Sequence, residues 1–184
     1  MSILTQVDPS AAQGKAKDLL DAVQQAMGAT PNIFTAMANA PAALEGLLGL
    51  NGALAGGALD ARLREKLALV TAGANGCDYC ASAHTFLGDK AGISADELAQ
   101  NVSGSSDVSR DQAALSFSLR LIEERGRVNA ADVQVVRDAG FSDEEVIEIL
   151  AHVALNTFTN YFNEAFQVAI DFPEVKVTNV MKAA

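Results

Sequence analysis

Residues Glu65 to His84 read EKLALVTAGANGCDYCASAH. This stretch holds both cysteines of the 184-residue chain, Cys77 and Cys80, and one of its two histidines, His84. Asn75-Gly76 marks a turn, and a helix is predicted to open at Cys77. At about 100° per residue, Cys77, Cys80 and His84 then fall within roughly 60° of one another. One helix face carries two thiols and an imidazole.

A Cys-X-X-Cys at a helix start has a physical use. Unpaired backbone N–H groups and the positive end of the helix dipole favour the thiolate, the reactive form of cysteine. The spacing also lets the two sulfurs join in a disulfide with little backbone movement, so the pair can cycle between dithiol and disulfide. The preceding segment, Asp60 to about Gly73, reads as a helix with Asp60 as its N-cap and Leu63, Leu67 and Val70 on one face. Glu65 lies on that helix. A reversal at Gly73-Ala-Asn-Gly76 is able to bring its carboxylate beside the sulfurs.

Glu65, then eleven residues, Cys77-Asp78-Tyr79-Cys80, then three residues and His84 resembles the active-site signature of alkylhydroperoxidase D-like proteins within the carboxymuconolactone decarboxylase superfamily. The segment MGATPNIFTAMANAPAAL, Met27 to Leu44, resembles the branch called peroxidase-related enzymes. The resemblance implies an all-α helical bundle that works without haem, flavin or metal. It implies Cys80 as the thiol that attacks peroxide, Cys77 as the thiol that resolves the sulfenic acid into a disulfide, and Glu65 with His84 as a proton relay. Its substrate would be a hydroperoxide, and an external dithiol reductant, thioredoxin-like or lipoyl-type, would reopen the disulfide. The founding branch has a histidine just before the second cysteine, whereas this chain has Tyr79. A phenol donates a hydrogen bond but is a poor base near neutral pH, so weaker activity or a different substrate is expected.

The remaining sequence fits helices. A hydrophobic content of 49%, with no Trp and only four Pro, is compatible with one domain spanning 1–184, its core about 9–172. A first helix is expected over 9–28, and Pro31 and Pro41 start two more; between them Asn32, Ile33 and Phe34 are candidates to line a pocket, with core the preferred reading for Phe34. Residues 46–59, GLLGLNGALAGGAL, hold five glycines, explained by close helix approach and by a turn at Gly56-Gly57. Gly92 reads as a helix end. Capping boxes are predicted at Ser94–Glu97, Ser109–Gln112 and Ser142–Glu145, a loop over 101–109, and helices from 109 to about Arg125 and from 130 to 139. The longest helix is carried from Ser142 to about Ile170.

That last helix bears a polar stripe, His152, Asn156, Asn160 and Asn163, within roughly 80° of one face. Buried polar groups need partners. One reading makes His152 or Asn156 a support of the thiol site; the preferred one is a hydrogen-bond network at a subunit contact. Glu148, Asn160, Asn163 and Gln167 also repeat the spacing of Glu65, Cys77, Cys80 and His84, as a duplicated helix pair would.

The formal net charge of −10 argues against nucleic acid and anionic membranes as partners. MSILTQVDPS lacks the basic start and apolar core of a secretory signal, and a cytoplasmic location is expected, where such cysteine pairs are more often catalytic or metal-binding than structural. Apolar composition and a long amphipathic final helix point to self-association, and the resemblance implies a trimer or hexamer. Two other functions compete. A lactone decarboxylase is suggested by the superfamily's name, but the thiols speak against it. A zinc-binding or helical interaction module would use Cys77, Cys80, His84 and Glu65 as ligands, although structural zinc sites prefer more sulfur.

Overall fold

A computed structural model describes residues 2–177. Among them the secondary structure is entirely helical, in nine helices. The first three are α1 (Gly14–Met27), α2 (Asn32–Met37) and α3 (Pro41–Ala55); the middle ones are α4 (Ala61–Asn75), α5 (Asp78–Lys90) and α6 (Ala95–Val102); α7 (Ser109–Glu123), α8 (Ala130–Asp138) and α9 (Asp143–Phe166) complete the order.

The bundle is built around α4, which packs on α5, α6, α7 and α9. Its sequence explains the position, because Lys66 to Gly73 is buried without interruption, and a helix with apolar residues on every side is stable only when covered all round. Gly73 lets α6 approach, since a Cβ there would collide with the Val102 carbonyl. The one charged residue in the run, Lys66, is 2% exposed and is met by Glu97 at 2.6 Å and Asp111 at 2.8 Å. One apolar cluster joins α1 to α3 with α5 and Leu155 of α9; a second joins α4 with α7, α8 and α9.

Several boundaries differ from the sequence expectation for local reasons. The first helix begins at Gly14 rather than residue 9, because Asp8 closes a turn on Ser10 to Ala12 and the chain enters the helix through Gly14 at φ +57°. At Ser94 the cap forms, but Glu97 does not complete the box; its carboxylate is spent on Lys66, Asn101 and Ser106. The Ser109–Gln112 box does not form at all. Val108 is the N-cap of α7, and Gln112 reaches back to Ser106 and Gly104. The expected box at Ser142 is present, and another lies at Asn129 with Asp132. Gly46, Gly49 and Gly52 have nothing within 4 Å of a would-be Cβ, so close helix approach is not their reason; they line the outer side of α3.

The longest helix stops at Phe166, not Ile170, where Gln167 turns left-handed at φ 50° and Val168 N–H donates to Asn163 O. The chain beyond it forms a strap over α5. Tyr79 donates to Asp171 at 2.8 Å, Val175 N–H donates to Ser82 Oγ at 2.8 Å and Val177 N–H to Asp78 at 2.8 Å. Phe172 packs edge-on to Tyr79. Because α9 is one uninterrupted helix, the spacing echo at Glu148 to Gln167 is not a duplicated helix pair; Glu148 instead accepts from Ala58 and Leu59 in the turn after α3.

Candidate active site

Helix α4 ends at Gly76, whose left-handed φ of 71° reverses the chain. Cys77 follows as the N-cap of α5, and its sulfur accepts from Cys80 N–H at 3.3 Å. That bond aligns the two side chains at the positive end of the helix, with both cysteines buried and unbridged. The reversal also lays α5 back along α4, so that Glu65 of one helix meets His84 of the other, Nδ1 to Oε2, at 2.8 Å. The pair is half-open, with 24% and 22% of the two side chains exposed.

The two thiols are driven apart electrostatically. The Cys80 thiol is brought down to about 7, first by its interaction with Cys77, against burial, and further by the positive ring of His84 and by Asn163 and Asn160. Cys77 is pushed far up by the same partnership, by burial and by Glu164. Burial works against a charge on His84, but Glu65 outweighs it and holds the imidazolium above its usual range. The surroundings thus favour the charged form of Cys80 and of His84 and the neutral form of Cys77.

The polar stripe of α9 faces inward within this chain rather than toward a subunit contact. Asn163 donates from Nδ2 to Cys80 Sγ at 3.1 Å, and Asn160 accepts from Asn75 at 2.9 Å. Asn160 also lowers the Cys80 thiol, although its Nδ2 makes no hydrogen bond among the described residues. His152 and Asn156, the two stripe residues read as supports of the thiols, make no hydrogen bond to them. Asn156 donates to the His152 carbonyl of its own helix, and both side chains line a small polar cavity with Arg64, Glu65 and His84. Burial and the nearby Arg64 keep His152 below its usual range.

Tyr79 is not turned to the thiols. Its hydroxyl accepts from Ile33 N–H at 3.2 Å and donates to Asp171, and burial with that carboxylate raises it well above a free phenol. Its use is to fasten α2 and the strap to α5. The residues that sequence reasoning missed are therefore Asn163 as a thiol partner and Asp171 as the anchor of Tyr79. A signal for Asn163 existed, since an amide in the apolar body of a helix demands a partner, but nothing in the sequence named the sulfur.

A cavity of about 220 Å³ opens onto Cys80. Ile33, Phe34, Leu47, Leu87 and Phe172 form apolar walls, so Phe34 contributes to the cavity as well as to the core; Asn51, Asn156 and Thr159 join Cys80, His84, Glu65 and Asn163 on its polar side. Among the described residues no group of three or more His, Cys, Asp or Glu side chains is arranged to hold a metal ion, and the four ligands weighed for zinc do not converge as a set. No helix among these residues is long and apolar enough to cross a membrane.

Comparison with known proteins agrees with this architecture. The model of the carboxymuconolactone decarboxylase family matches residues 41–124. None of the curated proteins matches the chain. Among solved structures, an uncharacterised peroxidase-related protein with an AhpD core from Ralstonia eutropha is 25% identical, with 92% of each chain covered and a TM-score of 0.84. A peroxidase-related protein from a Silicibacter species is 21% identical over 91% of each chain, with a TM-score of 0.80. The debrominase Bmp8, in a cysteine-to-alanine variant complexed with 2,3,4-tribromopyrrole, is 21% identical, covering 93% of this chain and 92% of that one at a TM-score of 0.77. The family match spans α3 to α7, and the helical arrangement is shared along nearly the whole chain with the AhpD-core structure, so the chain is similar to alkylhydroperoxidase D-like proteins of the carboxymuconolactone decarboxylase superfamily.

Proposed function

We propose that the protein is a cofactor-free cysteine peroxidase that reduces organic hydroperoxides through a dithiol/disulfide cycle. One observation carries the reading: Cys80 receives the Asn163 amide at 3.1 Å in a cavity shared with the Glu65–His84 pair at 2.8 Å, a setting that lowers Cys80 and leaves Cys77, three residues away, raised. A peroxidatic cysteine must be a thiolate and its resolving partner must keep its proton. The apolar walls favour an organic substituent on the peroxide over a small polar one.

In the first step the Cys80 thiolate attacks the terminal peroxide oxygen. A sulfur–oxygen bond forms, the oxygen–oxygen bond breaks, and the departing alkoxide takes a proton from the Glu65–His84 pair. Cys77 then attacks the sulfenic acid; a disulfide forms and the hydroxyl leaves with the Cys77 proton as water. An external dithiol, thioredoxin-like or lipoyl-type, reduces the disulfide by exchange.

The test is turnover of cumene hydroperoxide with a dithiol donor. Wild type is expected to consume it continuously, Cys77→Ser only to the extent of one equivalent, and Cys80→Ser not at all. Undiminished turnover in Cys80→Ser would defeat the proposal, and lactone decarboxylation surviving in the double serine variant would favour that alternative. A second reading rests on the aromatic residues of the cavity and on the debrominase likeness. The same dithiol would reductively debrominate an aromatic: the Cys80 thiolate takes the bromine from carbon, the carbon keeps the bonding pair and takes a proton from the Glu65–His84 pair, and bromide leaves with release of the Cys77 proton when Cys77 closes the disulfide. Bromide release with no peroxide consumption would select it.

A further inference from the structure

The amide of Asn163 has a second end. Its Nδ2 donates to Cys80 Sγ at 3.1 Å, while its Oδ1 is buried and has no partner among the described residues. Asn163 is 2% exposed and lines the cavity that opens onto Cys80. A buried amide oxygen without a donor is costly.

The location gives that oxygen a use. Any oxygen atom transferred to Cys80 is covalently attached to the sulfur that Nδ2 touches, and it arrives carrying a hydrogen. We propose that Asn163 is a catalytic residue for the reaction of Cys80, its amide nitrogen holding the thiolate and its amide oxygen accepting the hydroxyl hydrogen of the sulfenic acid that forms there. The inference rests on the peroxidase reading for its second half only. The bond balance is that given above: the thiolate gains the hydroxyl oxygen of the hydroperoxide, the sulfur is oxidised by two electrons, and the peroxide is reduced to alcohol. Asn163 forms and breaks no covalent bond. It supplies a donor to the anion before transfer and an acceptor to the hydroxyl after it, so that the sulfenic acid is held in place for Cys77.

The arrangement is braced. Asn75, the last residue of α4, donates to Asn160 Oδ1 at 2.9 Å, one turn before Asn163 on α9, which ties that part of α9 to the start of the thiol helix.

Two variants test the proposal, Asn163→Ala, which removes both ends of the amide, and Asn163→Asp, which keeps the shape but removes the donor. Folding is checked by circular dichroism. Iodoacetamide labelling of Cys80, resolved by mass spectrometry across pH, reads the thiolate directly and needs no peroxidase activity. In both variants the midpoint is expected to rise by about one unit, which makes labelling at pH 6 about tenfold slower. In a Cys77→Ser background the dimedone-trapped sulfenic acid formed with cumene hydroperoxide is expected to be at least tenfold shorter-lived in Asn163→Ala than in its parent. An unchanged midpoint in whichever variants fold overturns the hold on the thiolate, and an unchanged sulfenic acid lifetime overturns the role of Oδ1. If the parent forms no sulfenic acid while the midpoint still moves, the peroxidase reading and the role of Oδ1 fall together, and the hold on the thiolate is upheld.

Discussion

Cys80 and Cys77 are the same amino acid three positions apart, yet opposite in ionisation because of where each sits. Cys77 is the N-cap, its sulfur already engaged as an acceptor; Cys80 is one turn inside the helix, facing Asn163 and within the field of His84. The lowered Cys80 predicts alkylation that rises through about pH 7, with Cys77 unreactive over the same range. The cation that helps to lower it is maintained by Glu65. In Glu65→Gln the imidazolium loses its counter-charge, the alkylation midpoint is expected to rise, and hydroperoxide turnover is expected to fall about a hundredfold, as befits removal of a proton relay. Stopped-flow assays of that variant against wild type check both effects.

At the scale of elements, α4 depends on its buried cation. Lys66 is shared by Glu97 of α6 and Asp111 of α7, so its removal leaves two part-buried carboxylates without their common cation. Lys66→Ala is expected to cost about 3–5 kcal/mol, against under about 1 kcal/mol for Lys17→Ala at an exposed pair; urea melts measure the contrast. The same network gives an acid dependence. Burial opposes the Glu97 charge, but Lys66, Ser106 and Asn101 outweigh it and hold the carboxyl at about 2, below the ordinary 4.5. The folded state therefore keeps its charge where the unfolded chain takes up a proton, so this contribution is full above about 4.5 and is lost as pH falls toward 2. The strap after α9 depends on Tyr79. Tyr79→Phe would leave Asp171 without its phenol donor and Ile33 N–H without its acceptor, at a cost of about 1–3 kcal/mol.

At the scale of the whole molecule, α9 presents an apolar face that no other described residue covers. Ile147, Leu150, Phe158 and Tyr161 are 68%, 48%, 43% and 63% exposed and fall within roughly 80° of one side of α9. Single exposed apolar residues are ordinary, but an aligned row on the longest helix is a surface suited to a second copy. Light scattering is expected to give a mass that is a multiple of the 19.1 kDa chain, and a Phe158→Glu, Tyr161→Glu double variant is expected to be monomeric. A monomeric wild type would overturn this. Because the stripe is on the opposite side of α9 from Asn160 and Asn163, the variant also separates assembly from the thiol site.

Sequence by itself determined the helical class and the two helices that carry the reactive groups, because periodicity, the Asn75-Gly76 break and the Cys-X-X-Cys spacing are local properties. The caps at Asp60 and Ser142 were legible for the same reason. What only tertiary structure decided was which side chains meet across helices. Glu65 reaches His84 because the Gly76 reversal lays α5 against α4, and Asn163 reaches Cys80 across 83 residues because α9 packs on the same pair. Tyr79 turns away because Asp171 lies on a strap whose path is set by a left-handed Gln167, a conformation no glycine announced. A helical face can be read from a single segment, but the partner that satisfies a buried amide or phenol is fixed only when distant segments pack.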